Sequence, residues 1–77
     1  MITGAQIRMA RGYLKWSAQE LAKKADVGIS TVQRMETVDD VPSASAKNLN
    51  AVERALEGAG VEFSNDAQGG VGIRVKL

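Results

Sequence analysis

Apolar and polar positions alternate along this chain with two different periods, and the change falls at Gly60. Before it, apolar residues recur every three or four positions, the spacing of a helix with one buried face. Ile7, Ala10 and Leu14 make the first such stripe, and Leu21, Ala22 and Ala25 the second. Val32 and Met35 make a third, in a pattern that begins at Ile29, and Leu49, Val52 and Leu56 a fourth. After Gly60 the period falls to two. Val61 and Phe63 flank Glu62, and Val71, Ile73, Val75 and Leu77 alternate with Gly72, Arg74 and Lys76. The connection SNDAQGG between these runs is rich in turn formers, so the segment predicts a β-hairpin with one apolar face. A lone two-stranded hairpin is marginal in water and must pack on the helices or pair with something else.

Capping signals set the helix boundaries. Thr3 and Gln6 form a capping box with Ile2 and Ile7 at the staple positions, so the first helix starts at Thr3 and runs to about Tyr13 or Leu14. Ser17 and Glu20 form a second box, with Trp16 and Leu21 as its staple. The second helix covers about 18–25 and the third about 29–36. TVDDVPS, with the only proline and two adjacent acids, is a loop. The fourth helix starts near Ser43 or Ser45 and stops where Gly58 and Gly60 flank its end.

Residues 17–36 therefore read as two short helices joined by a tight turn at Asp26, Val27 and Gly28. With Val32 and Met35 turned to the core, Gln33 and Arg34 must point away from it. Ser30, Gln33 and Arg34 on the outward side of a short helix are chemically suited to reading base edges. Arginine can donate two hydrogen bonds to guanine O6 and N7, which makes Arg34 the first candidate for direct readout. Gln33 can contact base or phosphate. Ser30 and Ile29 sit where the first turn of such a helix would meet a groove, Ile29 against a thymine methyl group. Thr31 can face backbone or core. An arginine, glutamine or serine on any exposed helix face can equally be a solvated surface residue.

Composition removes most other chemistry. The 77 residues contain no cysteine and no histidine, so there is no disulfide, no thiolate metal site and no imidazole base. No nucleophile–base pair or phosphate-cradling glycine loop is present, since Gly69–Gly70 falls in the hairpin turn. The reading is of a non-enzyme without metal or cofactor. No apolar run approaches membrane-spanning length, and the N-terminus lacks the apolar core of a signal peptide, so the expected location is the cytoplasm. Overall charge is +1, but it is unevenly spread. Residues 1–36 carry six cations against three acids, and residues 37–66 two cations against six acids. The basic excess coincides with the helix–turn–helix stretch. It is modest, and one isolated copy should bind a polyanion weakly.

The stretch resembles the helix-turn-helix of Cro and lambda-repressor-like regulators, the XRE type. The matching residues are Glu20, Leu21 and Ala22, then Val27 after the turn, Ser30, Thr31 and Val32, and Glu36 closing the helix. Ile7, Ala10, Arg11 and Leu14 resemble that family's first helix, and the similarity covers roughly residues 5–58. Asp26 stands where the family usually has glycine, and Ala18 where it often has glutamine. The resemblance implies a mostly α fold, a lambda-repressor-like four-helix domain over 1–60 with a C-terminal β-hairpin over 61–77. It implies a dimeric DNA-binding regulator whose two recognition helices lie about 34 Å apart on double-stranded DNA, the hairpin being the dimerisation element. DNA contacts would come from Ser17, Gln19, Gly28, Ile29, Ser30, Thr31, Gln33 and Arg34. Ser17 and the free amides of Ala18 and Gln19 would meet a phosphate at the start of the second helix. The resemblance also implies an ion pair between Arg11 and Glu36 that orients the third helix. Asp39 and Asp40 stand where relatives place basic or polar residues, and would repel phosphate if they faced it. The alternative function is a protein-interaction adaptor, or an antitoxin-like partner, on the same scaffold.

Overall fold

The computed structural model describes residues 2–65 and 71–75. Four helices come first: α1 (Gly4–Leu14), α2 (Ala18–Ala25), α3 (Ile29–Met35) and α4 (Ala46–Gly58). Strands β1 (Val61–Asn65) and β2 (Val71–Val75) follow and pair antiparallel, with Val61 opposite Val75 and Phe63 opposite Ile73. The fold is mostly helical with a small C-terminal hairpin, as the change of period implies. Residues 66–70, where the sequence predicts the hairpin turn, lie with Lys76 and Leu77 outside the described residues.

Both predicted capping boxes form. Thr3 accepts from the Gln6 amide while Gln6 reaches back to the Thr3 amide, and Ser17 and Glu20 do the same for α2. These reciprocal bonds satisfy donors that no helix can satisfy internally. α1 and α2 both end on left-handed residues, Lys15 at φ 59° and Asp26 at φ 57°. Asp26 therefore does adopt the backbone that favours glycine, and aspartate tolerates it better than most residues. α3 ends one residue earlier than its sequence pattern suggests. Glu36 caps it at φ −83°, ψ −4°, with its side chain committed to Arg11. α4 starts from Ser45 rather than Ser43, the Ser45 hydroxyl accepting from the Asn48 amide.

The four helical stripes meet in one core. Ile7, Ala10, Leu21, Ala22, Ala25, Val32, Met35, Leu49, Val52 and Leu56 are buried together with Ile2 and Val61. Leu14 is only partly buried at its edge, where Trp16, Val27, Phe63 and Ile73 also pack. Val61, Phe63 and Ile73 bring the apolar face of the hairpin onto the helices. β2 lies along α1 and β1 along α4. A pair of strands that would be marginal alone gains its stability from that burial.

Candidate nucleic-acid interface

The α2–turn–α3 unit is built from the inside out. Leu21, Ala22 and Ala25 face Val32 and Met35 across the core. The turn is closed by the Val27 amide donating to the Ala22 carbonyl at 3.0 Å and the Asp26 amide donating to the Lys23 carbonyl at 3.3 Å. The small alanines at 22 and 25 let the two helices approach closely, and the left-handed Asp26 reverses the chain between them. Gly28 caps α3 with extended backbone and no side-chain bond.

Burial along α3 is sharply divided. Val32 and Met35 are buried, whereas Ile29, Ser30, Gln33 and Arg34 are exposed and Thr31 is half-buried. Ile29 retains 42% of its surface, so it does not pack away against Val27. The seven residues of α3 thus present an apolar inner side and an outer side carrying an arginine, a glutamine, a serine and an isoleucine. Ser17, Gln19 and Gly28 are also exposed. The Ser17 oxygen already accepts from the Glu20 amide at 3.0 Å, and its own O–H remains a donor. Ala18 and Gln19 lie in the first turn of α2, before the internal hydrogen-bond ladder begins.

The C-terminal end of α3 is held rigidly. Arg11 grips the Glu36 carboxylate with two parallel bonds, Nε to Oε2 at 2.8 Å and Nη2 to Oε1 at 2.9 Å, and its Nη1 donates to the Trp16 carbonyl at 3.0 Å. The fork geometry fixes angle as well as distance. Its bonds to Glu36, reinforced by the carboxylate charge and opposed by burial, raise the Arg11 guanidinium above its ordinary basic range. A raised pKa stabilises the fold at every pH below the unfolded value, so this contribution is lost only in strong alkali.

Two further residues, Arg8 and Gly4, which the local pattern did not single out, hold the loop after α3. Arg8 donates to the carbonyls of Glu36 and Val38 and pairs with the Asp39 carboxylate. The Gly4 amide donates to the Asp40 carbonyl at 2.9 Å. A Cβ on Gly4 would stand 1.9 Å from the Val38 oxygen and 2.5 Å from the Met35 oxygen, so only glycine allows α1 to start this close to the end of α3. Asp39 therefore does not stand as an uncompensated acid, because Arg8 partners it. A small cavity of about 120 Å³ separates α3 from this loop, lined by Thr31, Arg34, Met35, Val38 and Pro42 among others. Across α2, Lys24 lies 5.0 Å from the centre of the Trp16 ring, a cation–π contact on the basic side.

A two-helix unit with a tight turn, a buried inner side and a polar outer side on its second helix is the geometry of a DNA-reading element. The family model for a helix-turn-helix domain, of the XRE-like kind, matches residues 3–64. The chain belongs to that family. This helix-turn-helix protein is thereby placed among DNA-binding domains. No curated protein matches the sequence. Among the described residues, no acidic or imidazole cluster could hold a metal ion, and no helix is long and apolar enough to cross a membrane.

Proposed function

We propose that this protein is a sequence-specific transcriptional regulator that binds operator DNA as a homodimer and represses by occupying a promoter. The observation that carries this reading is the division of α3. Its inner side is sealed, its end is clamped by Arg11 and Glu36, and its outer side offers Ile29, Ser30, Gln33 and Arg34 to solvent. Arg34 reads guanine, Gln33 reads adenine or holds phosphate, Ser30 bonds base or phosphate, and Ile29 covers a thymine methyl group. Ser17, with the amides at Ala18 and Gln19, and Thr31 take the flanking phosphates. Gly28, lacking a side chain, lets the backbone approach the groove. With DNA as its partner, the protein would act in the cytoplasm.

The hairpin supports the dimer. In a sheet of two strands each strand keeps an outer edge that the other does not pair, and such an edge can pair with a second copy about a two-fold axis. One copy, with its modest basic excess, gains from a second because the phosphate contacts double. The 1–60 segment is then the reading domain and 61–77 the dimerisation element. A second reading, an antitoxin-like or adaptor protein, is favoured by one patch. Val38 and Val41 are exposed at 40% and 47% beside Asp39 and Asp40, a surface better suited to a protein than to phosphate.

Binding titrations on a selected operator separate these roles. Arg34→Ala should cost about 1–3 kcal/mol and relax the preference at one position of each half-site. Lys23→Gln, which removes one exposed cation of α2 and no candidate base contact, should weaken all sequences alike and flatten the salt dependence. Equal loss on every sequence for Arg34→Ala would contradict direct readout.

A further inference from the structure

α1 is bonded at both ends to parts of the chain remote from it in sequence. Gln6 is fully buried, and its side chain does more than cap the helix. Oε1 accepts from the Thr3 amide at 2.9 Å, while Nε2 donates to the Ser64 carbonyl at 3.1 Å and to the Gly72 carbonyl at 2.9 Å. Ser64 and Gly72 are cross-strand partners, so one amide group holds both strands of the hairpin near their middle. Gly4, Arg8 and Arg11 meanwhile bind the Glu36–Asp40 stretch that follows the recognition helix. Apolar contacts are non-directional and tolerate sliding. These polar contacts are directional and fix the relative placement of what they join.

The identity of residue 6 carries independent information. Glutamate serves a capping box as well as glutamine does. Here glutamate would keep the bond to Thr3 but turn its second oxygen toward two carbonyl oxygens. The hairpin, not the cap, is what requires an amide.

We propose that α1 is a rigid coupler, with Gln6 as its positioning residue, which fixes the C-terminal hairpin relative to the recognition helix and so enforces one half-site spacing. The spacing consequence rests on the dimeric DNA-binding reading above; the coupling itself does not. In a dimer joined by hairpins, the two recognition helices are placed by the hairpin-to-α3 geometry. Each base pair inserted between half-sites moves the second by about 3.4 Å and turns it by roughly 35°. A coupled dimer cannot follow that change.

The first test uses the full chain without DNA, by amide hydrogen exchange at neutral pH on Gln6→Glu and Arg8→Met. Coupling is reciprocal, so each variant should speed exchange by about tenfold both in β1 and β2 and at the hydrogen-bonded Gly4 and Thr37 amides of the α1–loop junction, with α2 unchanged. Acidification that protonates the introduced carboxyl restores a donor and should reverse the Gln6→Glu effect. Changes confined to the hairpin in one variant and to the loop in the other would overturn the coupling. So would a uniform rise that includes α2, which would make both residues merely stabilising. Arg8 is partly exposed, so its variant keeps the test decisive if Gln6→Glu fails to fold.

The second test measures affinity for half-sites at the selected spacing and at one base pair more or fewer. The unmodified protein should lose about thirtyfold off its spacing and Gln6→Glu less than about fivefold, with single half-site affinity equal. Identical profiles would overturn the spacing claim. A protein that selects no operator at all would overturn the DNA-binding reading and with it the spacing claim, while the exchange result still decides the coupling.

Discussion

Gly4→Ala is the substitution on which helix propensity and the observed packing disagree in sign. On propensity alone, alanine is better than glycine in a helix by about 0.5–1 kcal/mol. In the structure the new methyl group would lie 1.9 Å from the Val38 oxygen, 2.5 Å from the Met35 oxygen and 3.1 Å from the Val38 carbonyl carbon. All three are backbone atoms, so no side chain can swing aside. Since comfortable non-bonded separations lie near ~3.5 Å, α1 or the loop must retreat by about 1 Å or more. That movement stretches the Gly4–Asp40 bond and pulls Arg8 from the Glu36 and Val38 carbonyls. Overpacking costs about 1–3 kcal/mol and each hydrogen bond lost about 1 kcal/mol. The net after the propensity gain is a destabilisation of about 2–4 kcal/mol. A domain of this size has about 4–12 kcal/mol in total, and each kcal/mol moves its midpoint by about 4–8 °C. Urea unfolding followed by far-ultraviolet circular dichroism should show the lower midpoint with an unchanged slope. A variant as stable as the parent, or more stable, would refute the close approach of α1 to α3.

Three other outcomes follow from the same contacts. Glu36→Ala leaves the Arg11 guanidinium in a half-buried position with the Trp16 carbonyl as its partner, and should cost about 2–3 kcal/mol, the buried-pair figure reduced for Arg11's partial exposure. A double-mutant cycle with Arg11→Met should return a coupling energy of about 1–2 kcal/mol, and strict additivity would argue against the pair. Lys15→Gly removes a left-handed lysine at the end of α1 and should raise stability by about 0.5–1 kcal/mol in thermal melts, the relief of backbone strain exceeding the entropy cost. Ser17→Ala removes the oxygen that caps α2 and should lower stability by about 1 kcal/mol, measured in the same melts.

What could be read from the sequence and what could not divides by distance along the chain. Capping boxes at Thr3/Gln6 and Ser17/Glu20, the stripes of α1 to α4 and the alternation in the hairpin are local signals. Each specifies its element through bonds three or four residues apart or through one buried face. The outward position of Gln33 and Arg34 followed from the same periodicity. The roles of Gly4, Arg8 and the Gln6 amide depend on backbone carbonyls 28 to 66 residues away. No local pattern encodes them. Gln6 illustrates the division well, because its capping half was legible and its hairpin half was not. The Arg11–Glu36 fork, implied by family resemblance alone, is present with ideal bidentate geometry. Asp39, a puzzle beside the proposed DNA-facing surface, is explained by Arg8, which partners its carboxylate.

If α3 reads DNA sequence in pairs, genome-fragment selection by the purified protein will recover the site it reads. Recovered fragments should share one inverted repeat with half-sites about one helical turn, roughly 34 Å, apart. Binding to it should weaken steeply with salt, and Arg34→Ala should relax the repeat at one position per half-site. No enrichment even at low salt, where phosphate attraction is strongest, would rule out sequence reading by α3.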